Sequence, residues 1–184
     1  MIMSFSKKII LLSLFSGIAV ASLISLGEKF DVLGEIGLVI VLFGAGVIYG
    51  IFTVKHIYNK FTSRRLLTCT IWLIASVLSY AVAVQVTLNS APSNLFPEPG
   101  PFDYAIGGFF GALILALSYK LICHLQHKIF PLSKIIVSTA SGTLLPLLIF
   151  LFLSEPASSI FLYTAWPTII TAIIFTQKSS NIVE

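Results

Sequence analysis

The chain has 184 residues, 57% of them hydrophobic and 10% charged, with a net charge of +4 and a mean hydropathy of +1.02. A soluble domain must cover itself with polar side chains, so lipid is the main solvent of a chain this apolar. This excludes enzymes built on aqueous clefts, and the positive charge is read as a topology signal rather than as a nucleic-acid surface.

A bilayer core about 30 Å thick needs about 20 apolar residues at 1.5 Å per residue. Six runs approach that length: 9–26, 36–54, 66–88, 105–123, 135–153 and 160–175. They are continuously apolar, whereas barrel strands alternate in polarity over about 10 residues. The expected fold is therefore an all-α integral membrane protein of six transmembrane helices in three hairpins. Residues 1–184 form one membrane domain, with no soluble domain.

In the first run, Lys7, Lys8 and Ala19-Val20-Ala21 outline a cleavable signal peptide, but apolar character continues through Leu26 and predicts retention as a helix. Ser13, Gly17 and Ala21 are small residues four apart. The second run carries Gly44, Gly46 and Gly50. Their spacing nearly matches a dinucleotide fingerprint, but that motif needs a strand-turn-helix context. Inside an apolar run, small residues let helix backbones approach closely. They are read as packing positions, and no cofactor is expected.

The third run contains Tyr80 and, about one turn from its outer end, Gln85. The loop after it holds Pro92, Pro97, Pro99 and Pro101, half of the chain's prolines. They keep the third and fourth helices from fusing, and Asp103 is expected as an N-cap. Phe96, Glu98 and Asp103 mark this acidic loop as the first place to look for an external binding site. Gly107, Gly108 and Gly111 then give the fourth helix a close-packing face.

Beyond the fourth run, Leu121, Ile122, Leu125 and Ile129 are expected on one face of a basic amphipathic extension in the headgroup layer. "CHLQH" (Cys123, His124, His127), with His56 and Cys69, gathers every Cys and His at the same side, yet no paired short ligand spacing recurs and no metal is expected. "STASGT" (138–143) places Ser141 beside Gly142, but no histidine lies within a span to activate it. No catalytic residue is assigned. Pro146 and Pro167 each remove a helical hydrogen bond near mid-span and are expected to kink their helices. Tyr163 and Trp166 are the amphipathic groups of the sixth run. Segments 43–61 and 110–130 echo one another, each running from Phe-Gly-Ala to a basic tail ending in Phe.

Every Lys and Arg except Lys29 lies in alternate connections, while Glu28, Asp31, Glu35, Glu98, Asp103 and Glu155 fill the others. Basic loops stay in the cytoplasm. Both termini, 55–65 and 120–134 are thus expected inside, an N-in/C-in arrangement that requires an even number of spans. The expected location is a cell inner membrane. No Asp, Glu, Lys or Arg falls in the core of a run, which argues against proton relays and voltage sensing.

"GPFDYAIGGFFGALI" (100–114), together with six short-looped spans, resembles the biotin-binding branch of the substrate-capture components of energy-coupling-factor vitamin transporters, with Gly100, Pro101 and Gly107 matching. That resemblance implies solute capture and docking to a transmembrane coupling subunit. The chain departs from the family where Gly17, not alanine, precedes Ala21 by four residues. On the residues alone the expectation is a non-enzymatic accessory or assembly subunit, whose partners are the lipid bilayer and either another membrane subunit or itself. The alternative is a membrane solute-binding or transport component.

Overall fold

Backbone N–H and C=O groups in an apolar run must be paired, and a helix pairs them within one segment. The computed structural model describes residues 11, 14–15, 17–19, 22, 34–61, 64–90, 100–153 and 157–175. Five helices fill most of this: α1 (Gly34–Lys60), α2 (Arg65–Ser90), α3 (Pro101–Leu125), α4 (Leu132–Phe152) and α5 (Ala157–Phe175). The described positions from 11 to 22 are helical too, and no strand occurs among the described residues. Arg65–Thr87 of α2, all of α3 and all of α4 are long and apolar enough to cross a membrane; Phe161–Phe175 of α5 is a shorter apolar helix.

The helices outrun the hydropathy of their cores. α1 continues through Lys55 and His56 to Lys60, and α3 begins four residues before Ala105, at Pro101. Hydropathy marks where lipid is the better solvent, whereas helix ends are set by caps. At the start of α3, Gly100 is the N-cap and Pro101 supplies a preset φ at the first helical position. Asp103 is therefore not the N-cap expected from sequence. It sits in the first turn, where its Oδ2 accepts the Gly100 N–H at 2.8 Å.

At its other end α3 closes with a Schellman turn. The Lys128 N–H donates to the Cys123 carbonyl at 2.9 Å and the His127 N–H to the His124 carbonyl at 3.0 Å, with His127 in the left-handed region at φ 52°. This overturns the amphipathic extension: the helix stops at Leu125, so Ile129 no longer shares a helical face with Leu121 and Leu125.

Each of α1 to α4 packs along the helix that follows it, and α3, between α2 and α4, also touches α5. The burial pattern differs from that of a soluble protein in what stands outside. Ser76, Ser79, Ser138 and Thr171 are fully buried, while Phe102 (72%) and Phe152 (79%) stand exposed with Leu117, Leu144, Leu148 and Leu151. An outer surface as apolar as the interior fits lipid as its surroundings.

Candidate functional site

Two kinds of contact build the interior. The first is a set of seams where backbones meet directly. A Cβ on Gly46 of α1 would lie 2.5 Å from Val77 Cα of α2, and one on Gly50 would lie 3.0 Å from Leu73 Cδ2. Across the next seam, Gly107 of α3 abuts the Ala83 carbonyl and the Thr87 hydroxyl, and Ser79 Oγ donates to the Gly111 carbonyl at 2.8 Å. Gly108 faces the Gly142 carbonyl of α4. Gly44 is half-buried.

Both internal prolines stand at such seams. Proline has no N–H, so Pro146 cannot serve the Gly142 carbonyl and Pro167 cannot serve that of Tyr163. A glycine lies against each: Gly108 against Gly142, and Gly17, whose Cβ would be 2.6 Å from the oxygen, against Tyr163. Without a Cβ, the glycine Cα–H can approach an acceptor that proline has deprived of its helical donor. Pro146 and Pro167 lie inside helices that continue past them.

The second kind of contact is aromatic. Between α1 or α2 and α5 the backbones barely approach, and large side chains reach across the separation. Tyr49, Trp72, Tyr80, Tyr119, Trp166 and Phe175 form one buried cluster. Tyr49 lies between Trp72 and Tyr80, with ring centroids 6.2 and 5.8 Å away. Trp72 meets Phe175 at 5.1 Å, and Tyr80 meets Trp166 edge-on at 5.7 Å.

Two hydrogen-bond relays satisfy the polar atoms of Trp72 and Tyr49. Trp72 Nε1 donates to Thr53 Oγ1 at 2.8 Å, and Thr53 donates in turn to the Tyr49 carbonyl at 2.7 Å. Thr171 Oγ1 spends its proton on the Pro167 carbonyl at 2.5 Å, so the Tyr49 hydroxyl is the donor in the 2.7 Å contact between them. The Tyr80 hydroxyl and the Trp166 Nε1–H stand apart. Both residues are 5% exposed, and neither polar atom has a hydrogen-bond partner among the described residues. Gly111 lies under the Trp166 ring, where a Cβ would come within 3.1 Å of two ring carbons.

The structure gathers some of the residues singled out in the sequence and disperses others. Gly111, Tyr80 and Trp166 meet at the aromatic cluster, while Gln85 is exposed. Phe96 and Glu98 lie outside the described residues, and Asp103 is engaged in starting α3. Ser138, Thr139 and Thr143 donate to carbonyls of their own helix. His56 is buried with its ring 4.4 Å from that of Phe175, Cys123 is buried, and His124 and His127 are exposed. Among the described residues no three His, Cys, Asp or Glu side chains are grouped to hold a metal ion. Sequence reasoning missed Tyr49, Thr53, Trp72 and Thr171. The available signal was fourfold spacing: Tyr49 with Thr53, and Trp72 with Ser76 and Tyr80, each line one helical face. No protein family, curated protein or solved structure matches the chain.

Proposed function

We propose that this chain is a six-span inner-membrane protein with both termini cytoplasmic, and that it binds a small uncharged solute between α1, α2 and α5. The carrying observation is the pair of buried donors, Tyr80 O–H and Trp166 N–H, that lack a partner among the described residues. A buried donor left unpaired costs about 1–3 kcal/mol, and two such donors on rings in edge-on contact suit an acceptor oxygen on a flat, ring-compatible solute. Lys60, the cation that reaches this cluster, is bonded to Tyr119 and to neither Tyr80 nor Trp166, which supports a neutral ligand. The alternating sign of the connections supports the six spans and their orientation.

The test is a thermal-shift screen of the purified protein against small neutral solutes bearing carbonyl groups. Saturable stabilisation by one of them, lost when Tyr80 and Trp166 are both replaced by Phe, is the expected result. Stabilisation that survives that replacement, or no hit in a broad screen, would remove the reading.

A second reading, an accessory or assembly subunit, is favoured by α1. Phe43, Val47 and Ile51, spaced four apart, are exposed on its outer face, with half-buried Gly44 beside them. A stoichiometric membrane partner, or a second copy, retained through mild purification would support it. Such retention should weaken when Val47 is replaced by Trp.

A further inference from the structure

The basic connections after α1 and after α3 are far apart in sequence, yet they meet at one end of the bundle. Lys128 Nζ donates to the Lys60 carbonyl at 3.4 Å. Both ammonium groups lie over the same ring, that of Phe61, with Lys60 Nζ 6.0 Å and Lys128 Nζ 4.9 Å from its centroid. Lys60 Nζ also donates to the Tyr119 hydroxyl at 2.6 Å. Phe61 and Phe130, the aromatic ends of the two echoing segments, both pack on Tyr119, at 6.0 and 5.3 Å.

These contacts fix two half-buried cations beside one another against an aromatic wall. Arg65 adds a third, its guanidinium 4.9 Å from the Tyr58 ring and its Nε donating to the Phe61 carbonyl at 3.1 Å. Among the described residues no carboxylate pairs with them: Asp103 lies at the opposite end of α3. Tyrosine hydroxyls, carbonyls and ring faces orient ammonium groups but do not neutralise them. Burial first, and Lys128 as well, pull the Lys60 amine below its ordinary range, while the Cys123 thiol pulls the other way. Holding like charges together in a partly dry site is unfavourable unless an anion joins them.

We propose that this basic end binds a phosphate group bridging Lys60 and Lys128, with Arg65 at its edge. The surroundings fit a phosphate that carries acyl chains. Leu66 (84%) and Leu132 (64%), both exposed, stand in the first turns of the helices that follow the two basic connections, so exposed apolar side chains adjoin the cations in sequence. A lipid headgroup and a free phosphate share the recognising chemistry, and the test separates them.

Purified protein in a neutral maltoside detergent is melted with added short-chain phosphatidylglycerol, with the zwitterionic phosphatidylcholine of equal chain length, and with inorganic phosphate. The expected result is a saturable rise in Tm on the order of 3 °C with phosphatidylglycerol, at least halved in the Lys60→Met, Lys128→Met double variant. Lys120→Met, which removes an exposed lysine of α3, should respond like the parent. Should the double variant fold poorly, Lys60→Arg and Lys128→Arg keep both charges and should retain the response, while Lys128→Met alone should lower it. An equal rise with inorganic phosphate would support the site and assign it to free anions. Equal responses to both lipids, no response to any anion, or an undiminished response in the Met variants would overturn the proposal.

Discussion

Gly108 of α3 lies directly against the carbonyl oxygen of Gly142 in α4, the acceptor whose helical donor is missing because Pro146 stands four residues later. The contact needs both features: a side chain on Gly108 would block the approach, and a residue with an N–H at 146 would occupy the oxygen.

Replacing Gly108 with Ala should therefore destabilise the bundle, although alanine is the better helix former. The added methyl would meet the Gly142 carbonyl and come within 2.8 Å of Pro146 Cγ, and backbone cannot yield as a flexible side chain can. Overpacking of this kind costs about 1–3 kcal/mol, outweighing a propensity gain of about 1 kcal/mol. Thermal melting in detergent should show a clear fall in Tm. Gly100→Ala is the control for added volume: among the described residues its Cβ would meet only Asp103 Oδ2, at an ordinary 3.6 Å, so its cost should be that of a poorer N-cap alone, at most about 1 kcal/mol.

The relay from Trp72 to Thr53 predicts non-additive mutations. Thr53→Val keeps the shape but strands the buried indole N–H, which should cost about 1–3 kcal/mol. Trp72→Phe removes the donor and leaves a gap in the cluster, so it is costly for a different reason. In the double variant no stranded donor remains. Its loss should therefore be smaller than the sum of the single losses by about 1 kcal/mol, a coupling that a double-mutant cycle of denaturation free energies would read.

Much of the molecule was legible before its coordinates, for identifiable reasons. Apolar runs without charge have few alternatives to helix, and α2, α3 and α4 lie where those runs are. Gly46, Gly107 and Gly108 could be marked because a glycine inside an apolar helix has few uses besides close approach. What stayed hidden was pairing between distant segments. Nothing local in Lys60 points to Lys128, and nothing in Tyr80 points to Trp166. The end of α3 is hidden in the sequence because the apolar period continues to Ile129, while the stop comes from a left-handed residue that is here histidine instead of the usual glycine.

That histidine yields a stabilising substitution. His127 adopts φ 52°, a region that costs a residue with a Cβ about 1 kcal/mol and glycine almost nothing. Its side chain is exposed, so little packing is lost by removing it. His127→Gly should raise stability by about 0.5–1 kcal/mol, whereas His127→Val should lower it, since a β-branched side chain fits the left-handed region worst. Melting of the two variants in parallel is sufficient to check the sign.

His56 should make stability depend on pH. It lies beyond the apolar run of α1, buried against Phe175, and burial first and Lys60 second lower its pKa from the usual 6.5 to about 3. The folded protein therefore holds the imidazole neutral where the unfolded chain protonates it. This contribution is fully present above about pH 6.5 and is lost as pH falls from there toward 3, with a limiting slope of about 1.4 kcal/mol per pH unit. The Tm in detergent should decline from pH 7 to 5, and His56→Phe should flatten the decline. An equally steep slope in the variant would assign it to other groups.

The decisive pair is Tyr80 and Trp166. If their donors were part of a closed structural network, Tyr80→Phe would destabilise the protein, as Thr53→Val should. Because the hydroxyl has no partner among the described residues, removing it should leave the ligand-free protein unchanged or slightly more stable, by up to about 1 kcal/mol. The same substitution should weaken a bound carbonyl solute about 10-fold, the loss of roughly one hydrogen bond worth 1.4 kcal/mol. Melting without ligand and isothermal titration with the solute found by screening thus move in opposite directions. A Tyr80→Phe variant that is less stable by itself and binds the solute unchanged would show that the hydroxyl serves the fold and not a ligand.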